Sequence, residues 1–332
     1  MNPDETRVVG SSTGRPRRAA VLRHSLLSRD PALSLRLPQR RTARRILHRL
    51  AIAALALSLT ACQSVDLSKG DLLPLSKAPV LALGAEEVAI RTPAAIVLDA
   101  DTGQVLYNDD ADGLRHPASL TKLMTIYLLF EALEEGKVKM DDLFVVSAGA
   151  AAKPPSKLGL RPGETIRVRD AMFAMAVKSA NDVASVTAEN LGGSEEAFAR
   201  QMTAKARQLG MTRTNFDNPS GLPDPLQITT ARDMAILGLQ IRRRFPQYVS
   251  LFSTPAFDYA GRHYVSTNKL LGKVPGIDGM KTGFIGDSGF NLVASARRGG
   301  RGVIVVVIGG VNGRARDARV EQLVDTYLGP AV

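Results

Sequence analysis

Three short stretches bring together residue types suited to acyl transfer: Ser119-Leu120-Thr121-Lys122, Ser179-Ala180-Asn181 and Lys281-Thr282-Gly283. A serine hydroxyl is a weak nucleophile at neutral pH and needs an adjacent base. A lysine three residues along a helix shares the serine's face. The helix expected over 118–136 holds Leu120, Leu123, Met124, Ile126, Tyr127, Leu128, Leu129, Phe130 and Leu133. It is apolar nearly all round, the mark of a buried helix. An amine enclosed there loses solvation, its pKa falls, and the neutral form is a base. Ser119 also stands near the helix start, where free N–H groups favour developing negative charge.

Taken singly, each stretch has a plainer reading. A first-turn lysine can reach solvent. Ser-x-x-Lys arises by chance about once in a chain this long, and a second copy occurs at Ser266-Thr267-Asn268-Lys269. Ser-x-Asn suits a helix-turn cap, and Lys-Thr-Gly suits a strand-end turn. It is the order of the three that makes the signal strong.

The elements that must position these residues follow from pattern. Residues 93–110 read as two apolar strands around Asp101-Thr102-Gly103, a hairpin. Residues 170–193 read as a helical hairpin broken near Ser179 to Asn181. Residues 194–210 form an amphipathic helix with a Ser cap, acids at its start and Gly at its end. Residues 214–227 are a loop and 229–245 another helix. Three strand-like runs follow, "GIDGMKTGFI", "GFNLVASARRG" and "GVIVVVIGG", and a helix over 315–328 closes the chain. Two strands, a helical middle, three strands and a helix leave no room for βαβ alternation. The expectation is an α+β fold. One antiparallel sheet of about five strands, built from both chain ends, is flanked by helices, with an inserted helical lobe beside it.

The net charge of +11 in 332 residues looks like a nucleic-acid signal, but its distribution argues against one. The first fifty residues hold twelve Arg and three acids, so the body is nearly balanced. No nucleic-acid partner is expected. Cys62 is the sole cysteine, which rules out an intramolecular disulfide, and the four histidines are too scattered for a metal site. Arg40–Arg49 followed by the apolar run Leu50–Leu59 has the layout of a secretory signal and is short for a transmembrane helix. Leu59-Thr60-Ala61-Cys62 resembles the bacterial lipoprotein box, which implies lipidation of Cys62. A plain signal with an incidental Cys is the alternative. Arg44-Arg45 weakly resembles a twin-arginine signal, and the Arg-rich lead over 1–39 also fits a wrongly assigned start. The expected division is therefore a basic leader and signal over 1–61, lipidated Cys and tether over 62–90, and a catalytic domain over 91–332. The expected location is the periplasm, with an N-terminal lipid anchor in a membrane.

From about 90 to 328 the sequence resembles the D-alanyl-D-alanine carboxypeptidases, the low-molecular-mass penicillin-binding proteins. The three stretches carry the resemblance, with "FDNPSGLPD", "TTARDMA", "TNKLL" and "GFNLVASA" in the same order. It implies a β-lactamase/transpeptidase-like fold and a reaction without cofactor or metal. The substrate would be a peptidoglycan peptide ending in D-Ala-D-Ala, and β-lactam antibiotics would be inhibitors. Ser119 would attack the carbonyl between the D-alanines, with Lys122 as base. Ser179 would relay a proton to the leaving amine, with Lys281 balancing charge. Asn181 would bond the substrate amide, and Thr282 the terminal carboxylate. The backbone N–H groups of Ser119 and of Phe284, just past Gly283, would form the oxyanion hole. An arginine near the last helix would pair with the carboxylate. Arg314, Arg316 and Arg319 compete, and Arg316 fits best. The second Ser-x-x-Lys falls in the "TNKLL" block and is not the nucleophile. Many relatives continue into a β-rich domain and an anchoring helix. Here no C-terminal β domain is expected.

A DD-endopeptidase would use the same residues. A serine β-lactamase of the commonest class needs a glutamate between the second and third stretches, and there is no Glu from 197 to 320. Asp217 or Asp224 is a conceivable substitute. A catalytically silent wall-binding lipoprotein is the remaining alternative.

Overall fold

The computed structural model describes residues 91–330. The basic leader, the signal, Cys62 and the tether lie outside the described residues. The first hairpin is β1 (Ala94–Asp99) and β2 (Val105–Asp109). Asp99 fixes its turn by accepting from the backbone N–H groups of Asp101 and Thr102, at 3.0 and 2.7 Å.

The helix that carries Lys122 differs in detail from the expectation. Residues Ala118–Thr121 form one 3₁₀ turn, and the α-helix proper, α1, spans Lys122–Glu134. A 3₁₀ turn eclipses positions three apart, which brings Ser119 and Lys122 closer in line than an α turn would. Then come β3 (Leu143–Val145), α2 (Ala148–Ala151), β4 (Thr165–Arg167) and α3 (Val168–Phe173). A π turn over Ala174–Lys178 leads to α4 (Asn181–Gly192) and α5 (Glu195–Gln208). Ser194 caps α5 as expected, accepting from Ala197 N. After the 214–227 loop, Thr230 caps α6 (Ala231–Arg244), and a 3₁₀ stretch covers Pro246–Ser253. The chain ends with β5 (Ala256–Tyr259), β6 (Arg262–Val265), β7 (Ile277–Ile285), β8 (Gly289–Arg298), β9 (Arg301–Gly310) and α7 (Gly313–Leu328).

The main sheet has the order β2-β1-β9-β8-β7, antiparallel throughout. It is the five-stranded sheet built from both chain ends. Side chains alternate between its faces, as strand geometry requires. Ile96, Leu98, Val293, Ile304 and Val306 join the core containing α1 and α6. Ala95, Val97, Leu292, Val305 and Val307 pack with Val320, Leu323 and Val324 of α7. The apolar helix α1 is buried as its composition demands: Leu120, Leu123, Met124, Ile126, Leu129 and Phe130 are fully enclosed. Tyr127 and Phe130 meet Phe245 edge-on at 5.1 and 5.3 Å between ring centres, locking α1 to the end of α6. Strand β7 is the sheet edge nearest the 3₁₀ turn that carries Ser119.

Candidate active site

Ser119 is half-buried at the start of α1, and the lysine behind it is wholly buried. Lys122 Nζ donates to Ser119 Oγ at 3.0 Å, to Asn181 Oδ1 at 2.7 Å and to the Ser220 carbonyl at 2.6 Å. Burial drives its pKa well below the usual lysine value, and the charge of Lys281 pushes the same way. Asp182 opposes both. Desolvation thus acts in the direction that the sequence expectation of an uncharged lysine requires.

A second serine–lysine pair faces the first. Lys281 Nζ, on β7, donates to Ser179 Oγ at 2.9 Å and to the Thr282 carbonyl at 2.9 Å. Its pKa falls to about 7, through burial first and the charge of Arg316 second. The π turn before Ser179 widens the helix, and Ser179 itself adopts the left-handed conformation (φ 62°, ψ 38°). π turns and non-glycine residues in that region cluster at working sites. The break expected near Ser179 to Asn181 is this geometry. It aims Ser179 at Lys281, and Asn181, first in α4, at Lys122.

Gly283 explains how β7 reaches the nucleophile. A Cβ there would come 3.0 Å from the Pro117 carbonyl and 3.2 Å from the Ser119 nitrogen. Any larger residue would have to push the strand edge and the 3₁₀ turn apart by a few tenths of an ångström. Next along, Phe284 is about half exposed and packs at a tilt against Phe290, with ring centres 4.3 Å apart. Thr282 Oγ1 donates to Thr267 Oγ1 at 2.7 Å.

These residues line one groove of about 410 Å³, shared by Ser119, Ser179, Asn181, Thr282, Gly283, Phe284 and Arg316. Of the competing arginines, Arg316 is in the groove and only 6% exposed, its Nη1 donating to the Asn291 carbonyl at 2.8 Å. Arg319 instead donates to the Tyr107 hydroxyl at 2.6 Å, and Arg314 is exposed. The second Ser-x-x-Lys makes no serine–lysine pair, because Lys269 Nζ donates to the Ser266 carbonyl at 3.1 Å.

Several contributors escaped sequence reasoning. Thr267, inside that discounted stretch, lines the groove. So do Pro155 and Ser156, whose segment sends the Pro154 carbonyl to Asn181 Nδ2 at 2.9 Å. Ser220 serves Lys122 through its backbone, which no side-chain pattern could reveal.

A five-stranded antiparallel sheet with a serine at its edge and a buried lysine behind it defines the penicillin-binding class of serine acyl-transfer folds. Within it the chain belongs to the D-alanyl-D-alanine carboxypeptidase family of S11 peptidases, whose model matches residues 82–312. It is 37% identical over 245 residues to the D-alanyl-D-alanine carboxypeptidase DacF of Bacillus subtilis, covering 72% of this chain and 62% of that one. A D-alanyl-D-alanine endopeptidase of Pseudomonas aeruginosa is 31% identical, over 74% of this chain and 76% of its own. The cefotaxime-bound penicillin-binding protein D2 of Listeria monocytogenes superposes with a TM-score of 0.65 at 31% identity, covering 73% of this chain and 98% of that one. The chain spans 62%, 61% and 58% of the first carboxypeptidases it matches.

Proposed function

We propose that this chain is a serine D-alanyl-D-alanine carboxypeptidase that removes the terminal D-alanine from peptidoglycan pentapeptides. The observation that carries the proposal is the convergence of two serine–lysine pairs with buried lysines, Ser119–Lys122 and Ser179–Lys281, on one groove. Lys122, uncharged, takes the proton as Ser119 Oγ attacks the carbonyl between the two D-alanines. The oxyanion is held by the backbone N–H groups of Ser119 and Phe284. As the C–N bond breaks, Ser179 hands a proton to the leaving D-alanine amine, backed by Lys281. Water then hydrolyses the Ser119 ester. Asn181 has one amide N–H committed to the Pro154 carbonyl and a second left to offer the substrate. Thr282 and Arg316 receive the terminal carboxylate at the Phe284 end of the groove. A β-lactam would acylate Ser119 by the same attack and so inhibit. No cofactor enters these steps.

The DD-endopeptidase alternative draws on the same residues and on the Pseudomonas relative. A β-lactamase is disfavoured by the missing glutamate and by Asp217, which lines a separate hollow beside Arg200 and Phe216. Export to the periplasm and lipid attachment at Cys62 complete the proposal. They rest on the signal-like run and the lipoprotein-box resemblance. Among the described residues no helix is long and apolar enough to cross a membrane. Lipid labelling of wild type and Cys62→Ser tests the anchor.

The enzymatic test mixes the full chain, and its Ser119→Ala variant, with pentapeptide monomers and with crosslinked muropeptide dimers, read by mass spectrometry. Serine-dependent loss of one alanine from monomers is expected. Splitting of dimers as the main event moves the assignment to endopeptidase. No product from either leaves a silent binder.

A further inference from the structure

Asp182, the residue after Asn181, has no part in the steps above, yet its side chain is completely enclosed. Its Oδ1 accepts from Leu158 N at 3.1 Å and Val183 N at 2.9 Å, and its Oδ2 from Gly159 N at 2.8 Å and Leu160 N at 3.3 Å. A buried carboxylate is tolerated only when its lone pairs are met in this way. Three of the four donors belong to one segment, 158–160, remote in sequence. That segment continues the wall of the groove. Pro154 returns its carbonyl to Asn181 Nδ2, and the Ser156 carbonyl accepts from Asn181 N at 2.7 Å. Ser156 Oγ donates to the Lys178 carbonyl at 2.9 Å, tying the same segment to the π turn before Ser179.

We propose that Asp182 is a positioning residue for this site: its carboxylate clamps the 154–160 segment onto the start of α4, and so sets Asn181 against Lys122 and closes one wall of the groove. The clamp is built from side chain to backbone, so it specifies segment conformation without demanding particular side chains at 158–160. Its charge has a second effect. The charged groups acting on Lys122 are Lys281 from β7 and Asp182 from α4, and Asp182 is the one that favours the ammonium. Removing its charge therefore lets Lys122 lose its proton at lower pH.

The proposal rests on the serine acyl-transfer assignment, and its test separates the two. The full chain, Ser119→Ala, Asp182→Asn and Asp182→Glu are acylated with a fluorescent penicillin across pH, and the second-order rate constant is measured. Asp182→Asn is expected to lose about tenfold or more on the plateau, since small misplacements of a reacting group can cost on the order of 10²-fold. Its acid limb is expected to move to lower pH. Asp182→Glu, which keeps the charge but not the fit, is expected to lose plateau rate with the limb unmoved. Wild-type plateau and limb in Asp182→Asn would overturn the proposal. Amide hydrogen exchange on the wild-type chain needs no variant, so it decides the case if the variants fail to fold. The Leu158, Gly159 and Leu160 amides are expected to exchange slowly, and exchange at the rate of open loop amides would overturn the clamp. If the wild type is not acylated, the serine assignment fails while the exchange result still judges Asp182.

Discussion

Gly221 lies so tightly against Ala118 that a Cβ on it would come 1.8 Å from the Ala118 carbonyl oxygen. Its φ of +81° independently asks for glycine. The contact seats the 214–227 loop on the residue before the nucleophile, and the neighbouring Ser220 carbonyl then accepts from Lys122. Gly221→Ala must shift that loop. Expected is a loss of about tenfold or more in the penicillin acylation rate, with a folded far-UV spectrum. Wild-type acylation would show that the loop contact does not set the lysine.

Lys122 has three hydrogen-bond partners and no access to water, so its role is local. Lys122→Met keeps length and apolar packing and deletes the base. The acylation rate constant should fall by about 10²–10⁴-fold, the usual worth of a general base. A fall within a factor of two would assign the proton to another group.

Lys281 makes a pH-dependent contribution to stability whose sign follows from its depressed pKa, about 7 against an ordinary 10.5. Between those values the unfolded chain binds the proton and the folded chain does not, so stability rises with pH across that window. Below about 7 both states are charged and the full cost of the buried ammonium is present. The slope is at most about 1.4 kcal/mol per pH unit. Lys281→Met should remove it. The difference in melting temperature between wild type and variant is expected to shift toward the wild type from pH 7 to pH 9. A constant difference would mean that folding leaves the Lys281 pKa near its ordinary 10.5.

Arg316 separates carboxylate recognition from chemistry. Arg316→Ala should raise KM for peptides ending in free D-Ala-D-Ala by tenfold or more, charge-assisted pairs of this kind being worth about 1.5–3 kcal/mol. Peptides ending in an amide should be little affected. Equal losses on both would mean that the arginine supports the groove through Asn291 instead.

What could be read from sequence divides along physical lines. Long strands and helices with a clear period were legible, and the sheet of both chain ends followed from their order. The antiparallel pairs β3–β4 and β5–β6 were not, because strands of three and four residues are too short to show alternation. Only the Ala260-Gly261 turn, with both φ positive, marks the second of them. The serine and lysine stretches were legible because their signal lies in side chains. Ser220, Pro154 and Ser156 act through carbonyls, and a carbonyl is the same in every residue. The 3₁₀ turn at 118–121 and the π turn at 174–178 went unread for a related reason. Both are adjustments of helical winding imposed by tertiary contacts such as the Gly283 approach, which composition does not register.

Strand β1 is hydrogen-bonded on one side to β2 and on the other to β9. The sheet is thus fastened like a belt, with its buckle made from the last strand of the chain. While the protein is being made, Ser119 and Lys122 emerge long before β7 can lie beside them. Nearly all contacts that seat Lys281 and Gly283 must wait for that late segment, a high-contact-order closure that sets a slow folding step. The Ser119–Lys122 pair therefore waits for β7, a strand from the far side of the helical middle, before its groove has a second wall.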